Sequence, residues 1–276
     1  LVYMFALCVC WATFGISVML LWRVVFSDSA GTITYQLGGW QAPWGIEYVI
    51  DTLSVFMLLI VSAIGAAVIT YAPRSLSFEI DENQHYLFYT AYLLCLSGLL
   101  GIVITGDLFN LFVFLEISAL SSYALIALGA RQARQALTAA FQYLVMGTIG
   151  ATFILIGIGL MYQMTGTLNI SEMASGLKTF DGPRTVVVAF AFLSVGISLK
   201  MALFPLHAWL PGAYTFAPSV VTAFLAATAT KVSVYILLRV IFTIFKPKFA
   251  FESLSFDVGL MMLALVGIFV ASTVAI

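Results

Sequence analysis

Charge is scarce in this sequence. Only 8% of its 276 residues are Asp, Glu, Lys or Arg, where a soluble domain carries roughly 25%. So few charges cannot cover a water-facing surface, which excludes an ordinary soluble domain. No excess of basic residues exists either: the net charge is −1, and nothing suggests a nucleic-acid surface. Cysteine is nearly absent. Cys8, Cys10 and Cys95 lie inside apolar runs, at spacings that fit neither a zinc site nor a disulfide framework, and read as small packing residues. With no Cys cluster, nucleotide-binding loop or haem-ligand pair, no cofactor and no metal are expected. A basic n-region and a cleavage site are missing around the first apolar run, which is therefore a membrane helix and not a signal peptide.

What is present is apolar: 63% of the chain is hydrophobic. The apolar runs last roughly 20 residues, the length an α-helix needs to cross ~30 Å of hydrocarbon. Barrel strands would be about half as long and would alternate in polarity, so the spacing predicts an all-α polytopic membrane protein. Eight or nine segments are expected, at 1–25, 51–72, 86–105, 108–129, 137–163, 184–204, 206–216, 218–245 and 257–276. Residues 27–50 contain no Lys or Arg, and their turn signals among Thr32, Ile33, Tyr35 and Trp40 predict a short surface hairpin. The polar stretch 74–85 reads as an exposed loop and 129–136 as a tight basic turn. Asn169 or Ser171 is a candidate cap for a short helix. Both ends of the chain look like cuts in a longer protein.

One segment departs from this regularity. Residues 200–218 read KMALFPLHAWLPGAYTFAP. Proline lacks the backbone donor and clashes with the carbonyl four residues earlier, so Pro205 and Pro211 predict a helix break just after Lys200. Such a break at membrane depth lines a cavity or is a plain loop between helices.

Three ionisable residues lie inside apolar runs. Glu116 falls in GDLFNLFVFLEISALSSY, Lys200 ends the run before the break, and Lys231 sits in the middle of SVVTAFLAATATKVSVYILLR. A charge at the centre of a membrane helix costs roughly 2.5–3.5 kcal/mol, so each needs a partner, water or a proton. A single buried ion pair adds little stability, and three such residues in separate segments point to proton transfer. A Glu116–Lys200 pair would hold both groups charged, and separating it would let Lys200 release a proton toward Lys231. Thr228 and Tyr235 lie at i−3 and i+4 from Lys231; they either line a water path or bond backbone carbonyls. His207 either shuttles protons or bonds the loop backbone. Asp51 and Asp107 read as helix caps, and Gly147 with Ala151 as a helix-packing pair.

These motifs carry a resemblance. GGWQAPWGIEYVIDTLS (38–54), GDLFNLFVFLEISALSSY (106–123), KMALFPLHAWLPGAYTFAP (200–218) and AFLAATATKVSVYILLR (223–239) resemble the antiporter-like subunits of the complex I superfamily. Among these the chain looks most like the D subunit of Mrp-type multisubunit Na⁺/H⁺ antiporters. The resemblance implies an antiporter-like fold of about fourteen helices built on two inverted five-helix repeats, each with a broken helix. Residues 1–85 would then be N-terminal transmembrane helices with the surface hairpin. Residues 86–245 would form the first repeat, broken near 200–217, and 257–276 would begin a truncated second one.

By motif, Glu116 matches the carboxylate of the family's buried Glu–Lys pair, Lys200 its partner, Lys231 the lysine of the central hydrophilic axis and His207 the histidine of the FPLH turn. Many members carry Asp and His after WLP, where this chain has Gly212 and Tyr214. The implied function is a transporter subunit, not an enzyme by itself. It would work in the cell membrane with other membrane subunits and the lipid bilayer, exchanging protons for Na⁺. The alternative is a proton-pumping subunit of complex I or a membrane-bound hydrogenase.

Overall fold

A computed structural model describes residues 1–26, 31–177 and 184–275. Eight of its helices are long and apolar enough to cross a membrane. In chain order the helices are α1 (Val2–Phe26), α2 (Thr52–Glu79), α3 (His85–Ile104), α4 (Leu108–Ala127), α5 (Gln135–Thr165), α6 (Ile170–Gly176), α7 (Arg184–Met201), α8 (Trp209–Phe216), α9 (Ser219–Leu238) and α10 (Phe256–Ala275). Two wider-wound π-helical stretches follow α9, at Arg239–Phe245 and Lys248–Ser253. The expected hairpin is present. Strand β1 (Ile33–Gln36) pairs antiparallel with β2 (Glu47–Ile50), Ile33 facing Ile50 and Gln36 facing Glu47.

Side-chain caps start the helices where the sequence placed them. Asp51 accepts from the Ser54 N–H at 2.9 Å and Asp107 from the Asn110 N–H at 2.7 Å. Asn169, not Ser171, caps α6, accepting from the Ser171 and Glu172 N–H groups. Each carboxyl or amide satisfies donors that the first turn leaves without intrahelical partners. The hairpin, the α3–α4 turn and α6 join into one layer. The Gly106 N–H donates to the Glu47 carbonyl and the Ile170 N–H to the Gly106 carbonyl, while the Asn169 amide donates to the Glu47 carboxylate. This defines a hairpin side of the bundle, where α3 ends and α2, α4 and α7 begin.

Two expectations need correction. The stretch 74–85 is not wholly a loop, because α2 continues through Pro73 to Glu79. Leu76 and Ile80, four residues apart on one face, are both fully buried, and their packing extends the helix past the last strongly apolar residues. The Glu79 carboxylate then caps α9, accepting from the Ser219 N–H and hydroxyl, each at 2.6 Å. Pro211 breaks nothing: it is the third residue of α8, in the first turn, where a missing N–H has no carbonyl to leave unpaired.

The core is one cluster that draws on α1 through α9, and α5 and α7 pack closely within it. Gly150 and Gly196 let the two backbones meet: a methyl on Gly196 would lie 2.6 Å from the Gly150 carbonyl oxygen. Gly147 does the same for α4, leaving space that the Tyr123 hydroxyl takes.

Candidate functional site

The break falls at Lys200. Helix α7 ends at Met201, Ala202 turns left-handed with φ +56°, and the chain re-enters a helix only at Trp209. The carbonyls freed by the break bond to protein groups: Ser198 O accepts from the Leu203 N–H, and Leu199 O from the Ala202 N–H and the Trp209 indole. Trp209 stacks flat on Tyr143 of α5 at 4.2 Å between centroids, and Tyr143 meets Tyr123 of α4 edge-on at 4.6 Å. The segment that looks out of place in the sequence is thus clamped by an aromatic chain.

Lys200 stands in the last turn of this shortened helix. The carbonyl end of a helix dipole favours a cation, and the side-chain stem passes close to Gly150. Its Nζ reaches the Glu116 Oε1 at 3.3 Å, with the lysine side chain 6% exposed and the glutamate 27% exposed. The structure therefore joins two of the three membrane charges, 84 residues apart. Removing a partner from such a buried pair leaves a lone charge, which costs about 3–5 kcal/mol.

Beside the pair lies a cavity of about 30 Å³ lined by Lys200, Tyr143, Ser118, Ser122 and Ser233. A water needs about 10–15 Å³ of such space and several polar partners. The cavity meets both conditions, and it extends from Lys200 to α9.

Lys231 departs from expectation. Among the described residues its side chain is exposed, and its Nζ donates to the Ala226 carbonyl of its own helix. Thr228 and Tyr235 do not accompany it. They lie about 60° and 40° round the helix at 100° per residue, toward a buried stripe that leaves Lys231 at its edge. Thr228 is fully buried and donates to the Phe224 carbonyl at 2.7 Å, the backbone bond that is one of its two expected roles. Tyr235 donates to the Val103 carbonyl at 2.8 Å. His207 packs on Phe204 at 5.4 Å between ring centroids, and its buried Nδ1 has no hydrogen-bond partner among the described residues, nor have the Tyr123 hydroxyl and Ser194 Oγ. Buried polar atoms left this way are rare in folded proteins. Among the described residues no group of three or more His, Cys, Asp or Glu could hold a metal.

A second charged cluster is invisible in the sequence spacing. The Arg239 guanidinium donates to the Asp51 carboxylate through Nη1 (2.6 Å) and Nη2, to Ser54 Oγ at 2.7 Å and to the Tyr235 hydroxyl at 2.8 Å. Asp51 reads as a cap and Arg239 as a helix-end charge, with 188 residues between them. The i, i+4 pair Tyr235 and Arg239 is the one local signal. Burial works to raise the Asp51 pKa, but the bonds from Arg239 and the Ser54 N–H outweigh it and leave the carboxyl below its ordinary value. Because the folded pKa is lowered, the cluster's contribution is full above the unfolded pKa of about 3.9 and is lost as pH falls through the folded value. The thermal-midpoint difference between wild type and Asp51→Asn, measured in detergent, should therefore be constant near neutrality and shrink in acid.

Residues 105–276 match the family described as NADH:quinone oxidoreductase/Mrp antiporter, TM. The chain is 47% identical to the N subunit of an NADH-quinone oxidoreductase from Desulforudis audaxviator over 75% of its own length and 41% of that protein's. It is 33% identical to the D subunit of a Na⁺/H⁺ antiporter from Alkalihalophilus pseudofirmus over 91% of its length and 50% of that protein's. It therefore spans half or less of these relatives. Among solved structures, a chain of the archaeal membrane-bound sulfane sulfur reductase superposes with a TM-score of 0.79 at 31% identity, over 86% of this chain and 47% of that one. A chain of the Mrp complex from Dietzia superposes with a TM-score of 0.76 at 27% identity, over 86% and 43%.

Proposed function

The chain belongs to the NADH:quinone oxidoreductase/Mrp antiporter transmembrane family, and from that premise we propose that it is a proton-translocating subunit of a multisubunit Na⁺/H⁺ antiporter in the cell membrane. The observation that carries the reading is the Lys200–Glu116 pair at 3.3 Å, placed at a helix break beside a cavity lined by three serines. Proton transfer needs groups whose affinity changes with a small movement. A lysine at the end of an interrupted helix has that freedom: lengthening its distance to Glu116 destabilises the ammonium and releases a proton. Ser118 and Ser122 of α4 and Ser233 of α9 line the cavity between Lys200 and α9, and Lys231 is the ionisable group in the middle of that helix. In this reading residues 86–245 form the first repeat and 257–276 begin the second. Other membrane subunits complete the complex.

The second reading is a proton-pumping subunit of a redox complex, and the 47% identity to an oxidoreductase N subunit favours it. The two separate cleanly. Vesicles containing the full complex, given a Na⁺ gradient and no electron donor, should acidify or alkalinise according to the gradient's direction. If protons move only when donor and quinone are supplied, the antiporter reading is wrong.

Lys231→Ala in that complex should lower proton flux about 100-fold, the scale of losing one acid–base group. The thermal midpoint should hardly move, since exposed positions change stability by about 0.5 kcal/mol or less. Undiminished flux would remove Lys231 from the path.

A further inference from the structure

A larger cavity, of about 380 Å³, opens on the hairpin side. Its walls include Asp51, Thr105, Asn169, Arg239, Thr243 and Lys246. Its charge excludes one occupant. Both Asp51 oxygens are taken by Arg239, and Lys246 adds a further positive charge, so among the described lining residues no free carboxylate remains to replace the oxygen shell of a hard cation. The cavity suits water.

Its inner end meets the small cavity at Lys200. Ile102 lines both. On α4, Leu111 faces the large cavity and Leu115, one turn on, the small one. On α9 the same division falls between Tyr235 and Ile236. The barrier is thus about one helical turn, some 5.4 Å, of apolar side chains, and Ile102 within it is 2% exposed.

We propose that this hairpin-side cavity is a water vestibule serving the Glu116–Lys200 pair, closed from it by a plug of Ile102, Leu111, Leu115 and Ile236 that the Asp51–Arg239 cluster holds in place. The hold is a continuous chain of bonds. Asp51 fixes Arg239, Arg239 donates to the Tyr235 hydroxyl, and that hydroxyl donates to the Val103 carbonyl, next to Ile102. Release of Arg239 loosens the hold on Tyr235 and, through Val103, on the end of α3 that carries Ile102. Asp51, Arg239 and Tyr235 are positioning residues in this device: Tyr235 reaches α3 at the Val103 carbonyl, Asp51 and Arg239 act through Tyr235, and their bonds do not include the pair. The inference rests on the proton-translocating reading for its purpose, though not for its geometry.

Thiol labelling tests it in the full complex in sealed vesicles, with Cys8, Cys10 and Cys95 replaced by alanine and a membrane-impermeant reagent added to each face in turn. Thr243→Cys, in the vestibule, should label rapidly from one face. Ser233→Cys, in the small cavity, should label slowly, and Ile102→Ala should speed it about tenfold, as should Tyr235→Phe, which keeps the ring but cuts the link to Val103. Leu115→Ala opens the same barrier from α4 should the Ile102 variant fail to assemble. The plug is disproved if Ser233→Cys labels as fast as Thr243→Cys without any opening substitution. The path is disproved if neither Ile102→Ala nor Leu115→Ala changes its rate. Labelling requires no transport, so loss of the vestibule and loss of the proton reading give different results.

Discussion

Glu116→Gln is expected to reduce proton flux through the assembled complex by about 100-fold or more, with a large loss of thermal stability alongside. The reason lies in where it leaves Lys200. That side chain is 6% exposed, and Glu116 is its one ion-pair partner among the described residues. A glutamine accepts one hydrogen bond but supplies no charge, so the ammonium must give up its proton or remain buried without compensation. An uncompensated buried charge of this kind costs about 3–5 kcal/mol.

The double variant Glu116→Gln with Lys200→Met separates the two consequences. Replacing both members of a buried pair with uncharged groups is often neutral or stabilising by about 1–4 kcal/mol, so the thermal midpoint should recover while proton flux stays low. Recovery of flux in the double variant would show that neither group carries protons. A midpoint that falls by the sum of the two single effects would show that they do not interact.

Gly196→Ala is the second substitution with a large expected effect. The new methyl would stand 2.6 Å from the Gly150 carbonyl oxygen and 2.9 Å from the Ile154 nitrogen. Both are backbone atoms of α5, so no rotamer change relieves the overlap, and α5 and α7 must separate. Overpacking of this sort costs about 1–3 kcal/mol. It also reaches the site, since a Cβ at Gly150 would lie 3.7 Å from Lys200 Cγ and the lysine stem follows that contact. Thermal denaturation of the purified complex should show the loss, and flux should fall more than stability alone explains. An unchanged midpoint would mean that the two helices cross farther apart.

Much of the architecture was legible because lipid leaves the backbone few choices. A run of about 20 apolar residues must be helical to pair its own backbone, so the long spans came within a few residues of their expected bounds. Caps were legible where a short polar side chain preceded an apolar run, as at Asp51, Asp107 and Asn169. The break after Lys200 was legible because Pro205 acts on its own preceding turn. Pro211 misled for the same local reason: proline breaks a helix interior and begins a helix equally well, and the residue alone does not say which turn it occupies. The extension of α2 to Glu79 was not legible because it depends on Leu76 and Ile80 finding partners in other helices.

By itself, then, the sequence determined the solvent, the spans and which residues are too costly to leave in hydrocarbon without a purpose. These follow from transfer energies and from backbone hydrogen bonding, which act on each segment alone. Which charge meets which was decided by the tertiary structure. Glu116 on α4 meets Lys200 on α7 because both helices pack on α5, α4 at Gly147 and α7 at Gly150 and Gly196. Arg239 joins Asp51 because the end of α9 packs beside the start of α2. Lys231 stands at the edge of its helix's buried stripe, away from both pairs. Side-chain direction depends on how neighbouring helices are rotated and spaced, and that is a property of the packed bundle.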